Sequence, residues 1–339
     1  MRSGASETEE EIQHGGNLAR ARAAFPLAPE PWIDLSTGIN PHSYPFSALP
    51  AKAFSSLPDV ELGERLKLVA ANAYEAPSPA HIVAAPGTQL LLPLIARLGN
   101  GSKAAVLSPT YAEHARAAKL AGLEVTETEE LAELAESDLA VVVNPNNPTG
   151  RLVSRAELLE VASHLGNNGG LLVVDEAFGE VGEGGSLANA VNRGGLVVLR
   201  SFGKFFGMAG IRLGFAIAPP YIVKKLEEQL GPWSVSGPAL HIALEALVDE
   251  HWKSSMRQRL AEEAQRLDAQ LASAGIIVAG GTSLFRFLQH EKARLIYETL
   301  GRQGVLIRKF DERPRDLRIG LPADHEWGRL VKALGELTV

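Results

Sequence analysis

The sequence predicts an α/β protein in three layers, with helices on both faces of a mostly parallel sheet, followed by a smaller α+β domain. Three observations predict it. The runs "KAAVLSP", "DLAVVVNP" and "LLVVDEAF" have strand length and are apolar almost throughout, as strands buried on both faces are. They alternate with stretches of helical periodicity from about residue 62 onward. After Pro220 the alternation stops, and long helical patterns run from Tyr221 to Ala274.

The elements follow in order. The first dozen or so residues, "MRSGASETEEE", are acidic and polar and read as disordered. Residues 14 to 60 are rich in Pro and Gly but carry too many apolar anchors for a spacer, so they read as an ordered arm with few regular elements. "LGERLKLVAANAY" is helical and leads into the strand "HIVAA". "GTQLLLPLIARLG" is a helix with Gly87, Thr88 and Gln89 in its first turn. "AEHARAAKLAG" and "SRAELLEVASHLG" are helices between strands, and "LVVLRSF" and "RLGFAIA" are two more strands. The C-terminal part holds "IIVAGGTSLFRFLQ", a helix near "EKARLIYETLGRQ", strand candidates "VLIRKF" and "DLRIGLP", and a last helix through "HEWGRLVKALGEL". The expected division is an arm at 1–35, a large domain at 36–228 and a small domain at 229–339.

Composition narrows the function. The chain has 339 residues, 45% hydrophobic and 22% charged, as in ordinary globular proteins. Its net charge of -7 argues against nucleic acid as a partner, though not against a locally basic pocket. The absence of cysteine excludes disulfides, thiolate catalysis and cysteine metal sites, and no metal is expected. No apolar run approaches the roughly 20 residues that span a bilayer, so no membrane partner is expected and the protein reads as cytoplasmic.

Ligands of open α/β sheets sit beyond the carboxyl ends of the strands. There the sequence places Gly87 and Thr88, Tyr111, the turn "NPNNPTG" (144–150), Asp175, and Ser201 followed by Lys204. Lys204 lies in "VVLRSFGKFFGMAGIRLGF", among Phe202, Phe205 and Phe206. A buried lysine loses its proton readily and becomes a nucleophile. Each feature also has a plainer explanation. Asp175 suits a helix cap, the Asn-Pro run a turn, Tyr111 core packing, and Lys204 a side chain reaching out to solvent. Their order and placement at successive strand ends favour one shared crevice.

"NPNNPTG", "VVDEAF" and "SFGKFFGMAGIRLGF" resemble the motifs of fold-type I pyridoxal-phosphate enzymes, the aspartate aminotransferase superfamily. The resemblance covers nearly the whole chain after residue 14. It implies a seven-stranded sheet and pyridoxal 5'-phosphate joined covalently to Lys204 in an apolar site. Asp175 would keep the cofactor's ring nitrogen protonated. Asn147 would donate to its ring oxygen, and Tyr111 would stack on its face. Its phosphate would rest on Gly87, Thr88 and Gln89 at a helix start, with Ser201 and Arg212. Many relatives have tyrosine where this chain has Phe178, and Tyr-Pro-Asp where it has Leu57-Pro58-Asp59. The family also implies a homodimer.

Within the superfamily, "HGGNLARARAAF" and "WIDLSTGINP" resemble the start of the threonine-phosphate decarboxylases of cobalamin biosynthesis. The resemblance implies a small phosphorylated amino acid as substrate. His14, Gly15, Gly16 and Asn17 would form a lid, assisted by Arg20, Arg22 and Asn40, with Gly38 and Asn147 also near the substrate. Arg318 would hold the carboxylate. The plainer alternative is that His14 is a surface histidine of the arm. The alternative activity is that of the histidinol-phosphate aminotransferases, whose substrate also carries a phosphate.

Overall fold

The computed structural model describes residues 12–99, 101–182 and 184–337. The acidic segment read as disordered lies almost wholly outside the described residues. The strands are β1 Ile33–Asp34, β2 Ile82–Ala85, β3 Lys103–Leu107, β4 Glu124–Thr128, β5 Leu139–Val143, β6 Leu171–Asp175, β7 Leu196–Ser201, β8 Gly214–Ile217, β9 Val278–Thr282, β10 Phe285–Gln289, β11 Val305–Leu306, β12 Arg308–Lys309 and β13 Asp316–Gly320. The helices are α1 Leu18–Ala24, α2 Lys52–Ser55, α3 Val60–Ala73, α4 Thr88–Ala96, α5 Glu113–Leu120, α6 Arg155–Asn167, α7 Phe202–Phe205, α8 Pro220–Leu230, α9 Gly237–Ala246, α10 Glu250–Ser273, α11 Ala293–Arg302 and α12 Trp327–Gly335.

The central sheet has seven strands in the order β2-β8-β7-β6-β5-β3-β4. Its pairs are parallel except those of β8, which is antiparallel to both neighbours. Side chains alternate along each strand, so each central strand feeds two cores. Ala140, Val142, Leu172, Val174, Leu196 and Val198 join the core that includes Leu66 and Leu158, from α3 and α6. Leu139, Val141, Leu171, Val173, Val197 and Leu199 join the core that includes Leu91 and Ile222, from α4 and α8. That division is why β5 and β6 read as unbroken apolar runs.

Two strand readings need correction. β4, "EVTET", was not expected, because it pairs only with β3 at the sheet edge and leaves Glu124, Thr126 and Glu127 exposed. A solvated edge strand has no need of an apolar run. "VLIRKF" is two strands rather than one: β11 pairs with β1 of the arm, and β12 pairs with β13. Ile307, between them, is buried in the core. The second sheet is antiparallel, in the order β12-β13-β10-β9. The helical stretch from Tyr221 to Ala274 divides into α8, α9 and α10, with Gly231 at φ +71 closing α8.

Candidate active site

The carboxyl ends of β2, β3, β5, β6 and β7 lie along one edge of the central sheet. A cavity of about 180 Å³ opens there, lined by Gly87, Thr88, Gln89, Tyr111, Asn147, Asp175, Ser201, Lys204 and Arg212. It meets a second, of about 280 Å³, to which His14, Gly15, Arg308 and Arg318 are added.

Lys204 sits on the single turn α7. Its Nζ donates to the Thr37 carbonyl at 3.1 Å and lies 5.5 Å from the centre of the Phe178 ring. Burial, with Arg318 and Arg212 nearby, lowers its pKa to about 8, although Asp175 pulls the other way. Phe178 is buried and meets Phe285 edge-on at 5.0 Å, so the ring serves as packing beneath the lysine.

Asp175 ends β6 on the face toward α5. Its Oδ2 accepts from His114 Nε2 at 2.9 Å, and its Oδ1 accepts from the Ala177 amide at 2.9 Å. His114 is buried, and nothing in the sequence singled it out. The available signal was its place three residues after Tyr111, on the inward face of a predicted helix. Tyr111 Oη donates to Gln89 Oε1 at 3.0 Å. Burial, with Glu113 and Asp175 adding to it, raises the phenol's pKa to about 12.

Gly87 precedes α4 at φ +85 and ψ 155. A Cβ there would stand 2.7 Å from Arg212 Nη2, so glycine allows the guanidinium to lie against the start of the helix. Arg212 is itself left-handed at φ 53 and donates Nη1 to the Ala209 carbonyl at 3.1 Å.

Arg318 is buried on β13 and donates to Asn147 Oδ1 and to the Ser36 carbonyl, while its Nε has no partner. Burial, with Arg308 adding to it, lowers its pKa to about 10. Arg308, which the sequence reading missed, faces Arg318 directly across the β12–β13 register. It donates to the Gln13 carbonyl, and burial lowers its pKa as well. The mismatch in reading has a simple cause: "VLIRKF" taken as one strand gives no reason to pair residue 308 with residue 318.

The arm residues separate. His14 and Gly15 border the cavity. A Cβ on Gly15 would come 2.4 Å from the Ser36 carbonyl oxygen, so this close approach requires glycine. Asn17 caps α1, accepting from the Arg20 amide at 3.0 Å, and with Arg20 lines a neighbouring cavity instead. Arg22 pairs with Glu30 at 2.7 Å. Asn40 is buried, donating to the Phe205 carbonyl at 2.7 Å and accepting from the His42 amide at 2.8 Å, which occupies it away from the cavity. Gly38, at φ +62, lies against Phe178 and Phe285 and does not line the cavity.

Known proteins resemble this chain over most of its length. The family model for aminotransferase class I and II matches residues 61–337. A threonine-phosphate decarboxylase from Pseudomonas aeruginosa is 43% identical over 327 residues, spanning 95% of this chain and 97% of that protein. A threonine-phosphate decarboxylase from Sinorhizobium sp is 43% identical over 334 residues, 96% of this chain and 98% of the relative. Among solved structures, the histidinol-phosphate aminotransferase from Sinorhizobium meliloti in complex with pyridoxal-5'-phosphate superposes with a TM-score of 0.79 over 98% of both chains, at 22% identity. At that identity the likeness is one of fold.

Proposed function

This chain belongs to the aminotransferase class I and II family, and from that premise we propose that it removes the α-carboxyl of L-threonine O-3-phosphate as CO₂. Pyridoxal 5'-phosphate is the cofactor and (R)-1-aminopropan-2-yl phosphate the product, in cobalamin biosynthesis. One observation carries this reading. Lys204, Arg212, Arg308 and Arg318 line a single cavity of a chain whose net charge is -7. Their hydrogen bonds go to carbonyl or amide oxygens and not to carboxylates. Arg318 is buried and Lys204 and Arg308 are half-buried. Cations held partly out of water without a paired carboxylate are costly, and three anions would complete the set: the cofactor phosphate, the substrate carboxylate and the substrate phosphate.

The residues present fit the cofactor. Thr88 and Gln89 open α4 with unpaired amides, and Gly87 leaves room for Arg212, which makes a phosphate cradle with Ser201. Asp175 supplies a carboxylate for the ring nitrogen, and Lys204 an amine of lowered pKa.

Pyridoxal phosphate, when bound, supplies a sink for the electron pair released as the carboxyl group leaves. Asp175 would hold a proton at the ring nitrogen, with His114 fixing its Oδ2. Tyr111 would cover a ring face. Asn147, whose Oδ1 is taken by Arg318, would donate its amide N–H to the ring oxygen. Arg318 would hold the substrate carboxylate and Arg308 its phosphate, with His14 and Gly15 closing the arm above. Lys204 would return a proton from Nζ to the α-carbon after CO₂ departs.

The chain divides, on this reading, into the arm at 1–35, a cofactor domain at 36–228 and a small domain at 229–339. We place the enzyme in the cytoplasm as a homodimer. Phe54, Leu57, Val60 and Trp233 are each more than half exposed, a set of large apolar groups suited to a second copy. No helix among the described residues is long and apolar enough to cross a membrane.

The test supplies phosphothreonine, threonine and histidinol phosphate with 2-oxoglutarate, and follows CO₂ and keto or aldehyde products separately. We expect CO₂ from phosphothreonine and at least tenfold slower turnover of threonine, the scale of one lost charge-assisted contact of about 1.5–3 kcal/mol. Amino transfer from histidinol phosphate without CO₂ release would replace this reading with the aminotransferase one.

A further inference from the structure

The arm and the helix that starts at the cofactor cradle meet at a carboxylate with no role in the chemistry above. Glu113 is the first residue of α5, and its side chain is 6% exposed. Its Oε1 accepts from His14 Nε2 at 3.0 Å. Its Oε2 accepts from Gln89 Nε2 at 2.8 Å and from Arg116 Nη1 at 3.2 Å. Gln89 in turn accepts the Tyr111 hydroxyl through Oε1. Among the described residues, the His14 bond is the one hydrogen bond that joins residues 12–24 to the layers of the central sheet. The arm's other anchors lead elsewhere, from the Gly16 amide to Ser36 Oγ at 2.7 Å and from the Gln13 carbonyl to Arg308.

We propose that Glu113 is a positioning residue that couples the seating of the arm over the cavity to the placement of Gln89 and Tyr111 inside it. The proposal rests on the functional reading above. Its physical basis is the cost of leaving a buried carboxylate oxygen without a donor. When His14 leaves, Oε1 loses its partner. Glu113 then turns toward water or draws on the donors of Gln89, and Tyr111 loses its fixed acceptor. When His14 is seated, the two oxygens are divided between arm and helix and the chain of bonds to Tyr111 is complete.

The experiment compares His14→Ala, Glu113→Ala, Glu113→Gln and the His14→Ala/Glu113→Ala double variant. Hydrogen exchange on protein before cofactor is added reads the coupling directly. We expect His14→Ala to raise exchange severalfold at the hydrogen-bonded amides that follow the first turn of α4 as well as in the arm, and Glu113→Ala to raise it in both. On cofactor-loaded enzyme each single alanine variant should raise KM for phosphothreonine about tenfold, with kcat changed less. The double variant should match a single one, since coupled partners are non-additive. Glu113→Gln should recover part of the loss, because its amide oxygen still accepts from Gln89 and its NH₂ can donate to His14. Exchange confined to the arm in His14→Ala, or a double variant whose effect is the product of the singles, overturns the proposal. If Glu113→Ala does not fold, His14→Ala and Glu113→Gln carry the same comparison. If the wild-type enzyme releases no CO₂ from phosphothreonine, the functional reading fails while the exchange data still decide the coupling.

Discussion

Lys204 shows how the site tunes one group with its neighbours. Burial disfavours its charged form, and Arg318 and Arg212 add repulsion, giving a pKa of about 8. The neutral amine, which is the nucleophile, therefore becomes the majority form above that value instead of above the usual 10.5. The sign of the next step follows. Removing a cation lessens the repulsion, so Arg318→Ala should raise the lysine's pKa and reduce its reactivity near neutral pH. The measurement is the pH dependence of aldehyde capture by the protein before cofactor is added, with the modified peptide mapped. A midpoint near 8 in the wild type and a higher one in Arg318→Ala are expected. An unchanged midpoint would mean that burial alone sets the value. Phe178 belongs to this scale as well: without a hydroxyl it fills space between Phe285 and the lysine.

At the scale of elements, the cradle depends on how β2 passes into α4. Gly87 holds φ +85 with ψ 155, a conformation that costs a residue with a Cβ about 1–3 kcal/mol. The same Cβ would press on the guanidinium of Arg212. Gly87→Ala should accordingly weaken cofactor binding at least tenfold while keeping the fold. Titration of the variant with pyridoxal phosphate, followed by absorbance, checks the affinity, and far-ultraviolet circular dichroism checks the fold. Wild-type affinity would place the phosphate away from this turn. The β12–β13 pair is a second device of this kind. A two-residue strand brings Arg308 opposite Arg318, so the ladder sets the adjacent backbone positions from which the two guanidiniums reach their separate partners.

The whole molecule sets the arm and the exposed apolar groups in relation to the sheet. The arm is joined through β1–β11 to the C-terminal part and through His14 to Glu113, so it spans the cavity from one side to the other. Leu57 is 68% exposed and Trp233 54%, the latter in a left-handed backbone conformation at φ 60. If a second copy covers them, Leu57→Asp with Trp233→Asp should convert the dimer to monomer in sedimentation. An unchanged mass would move the interface elsewhere on the surface.

Much of this was legible in the sequence because it depends on short-range pattern. Unbroken apolar runs announced the doubly covered strands, and glycine and proline punctuated their ends. Lys204, Asp175, Tyr111 and Gly87 each stand at a strand end, where an α/β sheet presents its ligands, and they line one cavity. Tertiary structure alone decided the rest. The polar edge strand β4 is held by its neighbour rather than by burial, so its sequence carries no apolar signal. His114 and Glu113 read as ordinary polar residues of a helix until α5 is packed against β6 and the arm. Arg308 meets Arg318 only through strand register, and Asn40 turns to a distant carbonyl 165 residues along the chain. Contacts between residues far apart in sequence depend on how the layers stack, and composition and periodicity, which describe a residue's near neighbours, carry no record of that.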